Sequence, residues 1–170
     1  MAKAGKSKQQ KQAKADAGKA GGGRNPEILV GENKKARFHY EIVERYECGL
    51  VLRGTEVKSL RQGKITLAES YARIDGDELW LIGANIPEYS HGNIQNHEPT
   101  RRRKCLLHRS ELDKIKSKAL IQGMTLVPLR VYFGSKGYAK ITIGVGRGRK
   151  TEDKRQYLKE KDDRREMRER

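Results

Sequence analysis

Apolar and polar positions alternate over short stretches through most of this chain, the pattern of strands with one face buried. Phe38, Tyr40, Ile42 and Tyr46 stand largely two apart, with acids and Arg45 between them. Gly49 interrupts this run, which resumes as Leu50-Val51-Leu52 and stops at Gly54. A short helix is expected next: the Thr55 hydroxyl can cap the free amides of a turn through Val57, Ser59, Leu60 and Arg61, and Gly63 ends it. Residues 65–74 and 79–86 form two alternating runs separated by Asp75-Gly76-Asp77-Glu78, a strong hairpin signal. After a loop over residues 87–100, Ser110 to Asp113 reads as a variant capping box opening a second short helix, with Leu112, Ile115, Ala119 and Leu120 at helical spacing before Gly123. Residues 126–133 and 138–145 are β-rich and joined across Gly134-Ser135-Lys136-Gly137. Pro128 places the start or an edge of a strand there.

About six strands, mostly antiparallel, and two short helices therefore make up the middle of the chain. Short strands with frequent turn signals favour a closed barrel or a sandwich over a parallel α/β fold, which would need longer helices between strands; the expected fold is mainly β, with a small antiparallel barrel of the oligonucleotide-binding type as first choice.

The two ends follow neither period. Residues 1–24 are Lys, Ala, Gln and Gly with no aromatic or branched aliphatic residue, too little apolar surface to offset the entropy of ordering. They read as a disordered basic arm, either condensing on RNA or merely solubilising. Residues 151–170 contain no Gly or Pro, and Glu160 with Arg164 and Glu166 with Arg170 are correctly oriented i,i+4 pairs. Only Tyr157, Leu158 and Met167 are apolar there, so a helix would have no face to bury; the tail is expected to be largely disordered alone and helical against a polyanion. The expected division is an arm over 1–24, a barrel over 25–146 and a basic tail over 147–170.

Charge sharpens this picture. The 170 residues include 38 Lys and Arg against 22 Asp and Glu, a formal charge of +16, with only 35% hydrophobic residues. Residues 1–24 hold seven basic residues and one acid, and residues 147–170 hold eleven and seven, leaving +6 for the 122 residues between them. A polyanionic partner is implied. A mean hydropathy of −0.91 and the lack of any long apolar run exclude a spanning helix, and the N-terminus has no apolar segment to make a secretory signal. The expectation is a cytoplasmic protein without membrane contact, whose two cysteines, Cys48 and Cys105, stay reduced.

Candidate chemistry centres on the run Arg101-Arg102-Arg103-Lys104 and the loop before it, where Tyr89, His91 and His97 can stack on unpaired bases. On a strand alternate members of that run point to opposite faces, so two at most serve one site; a solvated, aggregation-blocking edge is the plainer alternative. Glu56, beside Lys58 and Arg61, can accept from a base or a 2′-hydroxyl, or simply pair within the protein. The stretch Gly144-Val145-Gly146-Arg147-Gly148-Arg149-Lys150-Thr151 fails as a phosphate loop, because Arg149 precedes Lys150 where Gly is needed, and it suits instead a flexible basic hinge. His39, His91, His97 and His108 show no metal-binding spacing, and no catalytic residue, metal or cofactor is expected.

Several stretches resemble the SmpB family of bacterial trans-translation: Asn33-Lys34-Lys35-Ala36, the run GTEVKSLR at 54–61, Glu88-Tyr89 with Gly92-Asn93 and His97-Glu98-Pro99, residues 101–107, Val127-Pro128-Leu129, and Gly148-x-Lys150 followed by Asp153-Lys154-Arg155. The resemblance runs from residue 33 to about 165. It implies an oligonucleotide-binding-type barrel that binds the tRNA-like domain of tmRNA and completes its missing anticodon arm. It also implies a tail that folds as a helix in the vacant mRNA channel of stalled ribosomes, at the decoding centre of the small subunit. Carried onto this sequence, it places Lys34, Lys35, Glu56, Lys58, Arg61, Tyr89, His91, Asn93, His97, Arg101, Arg103, Lys104 and His108 on the tmRNA surface. Arg149, Lys150, Lys154, Arg155, Arg164, Arg165 and Arg168 would face the ribosome.

Two departures stand out. Glu152 occupies a position where many family members carry His, so stacking there is lost or supplied by another residue, and the tail ends early, at Arg170. The N-terminal arm has no family counterpart. The expected function is thus a monomeric, non-enzymatic tmRNA-binding adaptor for ribosome rescue; a ribosomal or other RNA-binding protein of the same fold, or an RNA-modifying enzyme, are the alternatives.

Overall fold

A computed structural model describes residues 27–169; the expected disordered arm over 1–24 lies outside the described residues. The elements in chain order are β1 (Ile28–Glu32), α1 (Ala36–His39), β2 (Tyr40–Leu50), α2 (Gly54–Arg61), β3 (Tyr71–Asp75), β4 (Glu78–Ile82), a 3-10 turn (Asn93–Gln95), β5 (Arg103–Leu106), α3 (Arg109–Ala119), β6 (Met124–Phe133), β7 (Ala139–Gly148) and α4 (Thr151–Glu169). All strand pairings are antiparallel. Six strands close a ring in the order β6-β3-β4-β5-β2-β7 and back to β6, with β1 added along β6. Closure removes the unpaired edges that an open sheet of this size would expose.

Inward-facing residues of the ring fill its interior: Leu79 and Leu81 from β4, Val131 from β6, and Ile141, Ile143 and Val145 from β7 are fully buried. α2 contributes Leu60 and α3 contributes Ile115, each fully buried and each worth roughly 1.5–3 kcal/mol as a burial term. The expected hairpin across residues 75–78 is present, with Gly76 at φ 60° supplying the left-handed turn position.

Several sequence expectations are corrected. Phe38 does not open a strand: the Asn33 side chain accepts from the Ala36 N–H (3.1 Å) and donates to the Leu67 carbonyl (3.1 Å), turning the chain into α1 before β2 begins at Tyr40. Gly49 does not interrupt β2 but pairs with both Leu106 and Lys140. Of residues 65–74 only 71–75 form β3, with Thr66 making an isolated bridge to Asn85. Pro128 is neither a strand start nor an edge; it sits within β6 beside a bulge, another site where a strand tolerates proline.

The glycines near residue 146 are not a hinge. Gly144 and Gly146 lie inside β7, where β2 presses closely: a Cβ at Gly146 would come within 2.8 Å of the Glu41 carbonyl oxygen, and one at Gly144 within 3.1 Å of the Ile42 and Leu129 side chains. The barrel therefore continues to Gly148, and the tail starts later than residue 147.

The tail also differs from its expected disorder. Residues 151–169 form the helix α4. The Lys150 N–H is bonded by Asp153 Oδ2 (3.2 Å), and Glu152 and Asp153 complement the positive end of the helix dipole. Tyr157 supplies the anchor that the polar pattern concealed: its ring centroid lies 6.4 Å from that of Phe38 on α1, and the Arg149 guanidinium lies over its ring at 4.7 Å.

Candidate nucleic-acid interface

At one end of the barrel, α2, the loop over residues 83–102 and the start of β5 meet around a carboxylate. α2 begins at Gly54, and Glu56 reaches back to accept from the Arg53 N–H at 2.6 Å, which fixes the carboxylate against the first turn. Glu56 Oε1 accepts from Arg101 Nε (2.8 Å) and Arg103 Nε (2.8 Å), and Oε2 from Arg101 Nη2 (2.5 Å). Arg103 spends its remaining donors on carbonyls: Nη1 on Ala84 (2.6 Å) and Arg101 (3.1 Å), Nη2 on Pro99 (2.9 Å). Glu56 and Arg103 are both 0% exposed. Burial alone would push the Glu56 carboxyl up, but the Arg101 hydrogen bond, the Arg53 N–H and the Arg103 charge outweigh it and hold the group below the ordinary carboxylate range.

His97 extends the same network. The Ile86 carbonyl oxygen lies 2.9 Å from Nε2 and can only accept, so Nε2 carries the hydrogen, and Nδ1 sits 3.0 Å from Thr55 Oγ1. Ser59 Oγ adds a bond to the Pro87 carbonyl at 2.7 Å. Thr55 thus ties the loop down instead of capping its helix as its position suggested. Glu56, His97 and Arg103, expected on the RNA surface, are corrected: all three are buried and fully engaged in holding the loop to the barrel. Arg101 is half-buried in the same arrangement.

What this buried frame presents to solvent is a short platform. Tyr89 and Asn96 bond each other twice, Asn96 Oδ1 accepting from the Tyr89 N–H and Nδ2 donating to the Tyr89 carbonyl, both at 3.0 Å. Gly92 is needed where the loop folds over this pair, since a Cβ there would fall 2.4 Å from Asn96 Oδ1. Tyr89 carries Lys58 Nζ over its ring at 5.3 Å and has His91 beside it, centroids 5.3 Å apart. Lys58, Arg61, His91 and Asn93 are exposed. Cations bordering accessible rings are a suitable surface for phosphates and unpaired bases.

The remaining expected residues are not brought to this platform by any contact. Lys34 and Lys35 are exposed on the turn into α1, which touches α4. Lys104 pairs with Glu78 on the outside of the barrel, next to Arg102, whose guanidinium lies 5.0 Å over Trp80. His108 is exposed and opens α3, its N–H bonded by Glu111 Oε2 at 3.3 Å; that contact, not Ser110 with Asp113, is the capping interaction. Lys150, Arg155, Arg164 and Arg165 are exposed along the tail and Lys154 half-buried; α4 also carries Arg168.

Other groups bear on what chemistry is available. Cys48 and Cys105 are buried and unpaired, and burial pushes the Cys105 thiol up to about 12 and Cys48 higher still, so neither supplies a thiolate at neutral pH. Among the described residues no group of His, Cys, Asp or Glu could hold a metal ion, and no helix is long and apolar enough to cross a membrane. Outside the expected set, Glu47 accepts from Lys140 and from the Tyr132 hydroxyl, and these bonds hold its carboxyl below the usual range. Only its alternation on β2 marked it in the sequence, as one outward acid among several.

Comparison with known proteins converges on one family. The family model described as SmpB protein matches residues 30–170. An SsrA-binding protein of Agrobacterium fabrum is 55% identical over 134 residues, covering 79% of this chain and 84% of its own. One of Sphingopyxis alaskensis is also 55% identical over 134 residues, with 79% and 83% covered, and one of Sphingomonas elodea is 54% identical over 138 residues, with 81% and 86% covered. A solved structure described as "tmRNA-SmpB: a journey to the center of the bacterial ribosome" superposes with a TM-score of 0.62 at 48% identity, covering 71% of this chain and 85% of the other.

Proposed function

This chain belongs to the SmpB family, and on that footing we propose that it is a tmRNA-binding adaptor that brings tmRNA to stalled ribosomes in trans-translation. The observation that carries this reading is the likeness, across most of both chains, to a structure whose description joins SmpB, tmRNA and the bacterial ribosome. The protein works by charge and shape rather than by making or breaking bonds, and it works in the cytoplasm. Its barrel binds the tRNA-like domain of tmRNA, with Lys58, Arg61, Tyr89, His91 and Asn93 on the recognising platform. The buried Glu56 frame keeps that platform in place before RNA arrives, so little conformational entropy is lost on binding. α4, with its exposed basic residues, enters the vacant mRNA channel of the small subunit, where each neutralised phosphate releases counterions.

Separating the two parts tests this division. Deleting residues 151–170 removes no residue of the barrel core or of the platform, so affinity for the tRNA-like domain, measured by fluorescence anisotropy, is expected to stay nearly unchanged. Tagging of nascent chains on ribosomes stalled without a stop codon should stop. Collapse of tmRNA affinity on deletion would overturn the reading of α4 as a ribosome-directed element. Recovery of the chain from lysate in stoichiometric amounts with intact small subunits, without tmRNA, would favour a ribosomal protein instead.

A further inference from the structure

The loop that carries the platform has a tip with no evident use inside the protein. Ile94 is 101% exposed, as open as an isoleucine can be, and it lies in the 3-10 turn between His91 and His97. Asn93 beside it adopts φ 42°, the left-handed region that most non-glycine residues avoid. Such a conformation persists when its surroundings over-determine it, and here they do: the Tyr89–Asn96 pair closes the loop, Gly92 leaves room for Asn96 beneath it, and the buried Glu56, Arg103 and His97 hold both ends. An apolar side chain is thus held outward on the loop that also carries the Tyr89–His91 pair, with Lys58 over the Tyr89 ring.

We propose that Ile94 is an apolar wedge that inserts into folded RNA, displacing or covering a base step while Tyr89 and His91 stack beside it and Lys58 meets the backbone. Short aliphatic side chains serve this purpose in other nucleic-acid complexes because they fill the gap between unstacked bases without needing a hydrogen-bond partner. The occupant is RNA rather than protein on grounds of charge: the chain carries +16, and the nearest helix face offers Lys58 and Arg61. This inference rests on the reading of the chain as a tmRNA-binding protein and adds to it a residue that determines shape specificity.

The test uses the full chain and the tRNA-like domain of tmRNA, with affinity read by anisotropy across a series of salt concentrations. Ile94→Ala is expected to weaken binding about tenfold, the scale of one branched aliphatic side chain losing its burial. The slope of log affinity against log salt should not change, because no phosphate contact is lost. Ile94→Met should restore most of the affinity, and the thermal midpoint of all three proteins should coincide, since the side chain contacts nothing in the free protein. Affinity of Ile94→Ala within twofold of the parent overturns the wedge. So does a loss accompanied by a flatter salt slope, which marks displaced phosphate contacts, or an effect confined to ribosome association, which marks a protein or ribosomal surface as occupant. If the parent itself shows no preference for the tRNA-like domain over random duplex, the functional reading fails before the wedge is reached.

Discussion

Two basic regions of this protein carry charge for opposite ends. Around Glu56 the arginines are buried or half-buried and every guanidinium nitrogen of Arg103 has an acceptor; along α4 most charges stand in solvent, and Tyr157 meets Phe38 of α1. Counting Arg and Lys does not distinguish them, since both segments are rich in those residues. What separates them is whether a carboxylate waits inside. Glu56 draws Arg101 and Arg103 inward, so the densest basic run of the chain becomes mortar for the loop, whereas the tail has no buried acid to draw it in. Charge density alone marks neither an RNA contact nor a structural bridge.

The largest expected effect lies at Glu56. Removing its carboxylate leaves Arg103 charged, enclosed and without the carboxylate it is bonded to, a change that typically costs about 3–5 kcal/mol. Glu56→Ala should therefore lower the unfolding free energy measured in urea by that amount, with tmRNA affinity falling as a consequence of the loosened loop. A stability change under about 1 kcal/mol with affinity lost would return Glu56 to the RNA surface, where the family resemblance had placed it. For the same reason Arg101 and Arg103 are not a pair of phosphate contacts, because Arg103 is sealed inside.

Acid should dissolve the contrast from the other side. The folded-state pKa of Glu56 is held below the value of 4.5 it has unfolded. Its contribution is therefore complete above that value and fades as the pH falls through the folded one. Comparing the protein with Glu56→Gln by urea unfolding, the stability gap should be widest near neutrality and should narrow once the pH drops below about 4.5. The Asp77 carboxyl is also held low, by Lys116 and Arg109, but it is an exposed group and remains in both proteins, so it cancels from the difference. A gap independent of pH would mean that the carboxylate is not what binds the arginines.

Local periodicity was a good guide where the chain follows it and a poor one where a single side chain redirects it. The hairpin at residues 75–78, the α2 and α3 helices and the closed antiparallel ring were legible because turn residues and alternation agree there. α1 was not, because Phe38 continues the alternation of β2 and only the Asn33 bonds break it. The glycines at 144 and 146 look like flexibility, yet they are there because β2 passes too close for a side chain, which only the tertiary structure reveals. In the candidate interface, residue types pointed to the right segments, α2 and the loop over 87–100. They could not say which members face inward, because that depends on contacts such as Arg103 with Ala84 across 19 residues of chain.

The smallest effect belongs to the junction of α4 with the barrel. Tyr157 contacts both Phe38 and Arg149, and Arg149 is itself fixed by its N–H bond to the His39 carbonyl at 2.9 Å. Aromatic and cation–π contacts at such partly exposed positions contribute about 0.5–1.5 kcal/mol. That is enough to bias a helix whose other turns bury nothing, and too little to affect the closed core. Tyr157→Ala should leave the barrel's unfolding midpoint unchanged while lowering helicity by circular dichroism and speeding tryptic cleavage after Lys154 and Arg155. Tyr157→Phe, which keeps the ring, should behave as the parent. Equal cleavage rates in all three would mean that α4 holds itself through its own ion pairs, and that the tail is oriented by the ribosome alone rather than by the barrel it leaves.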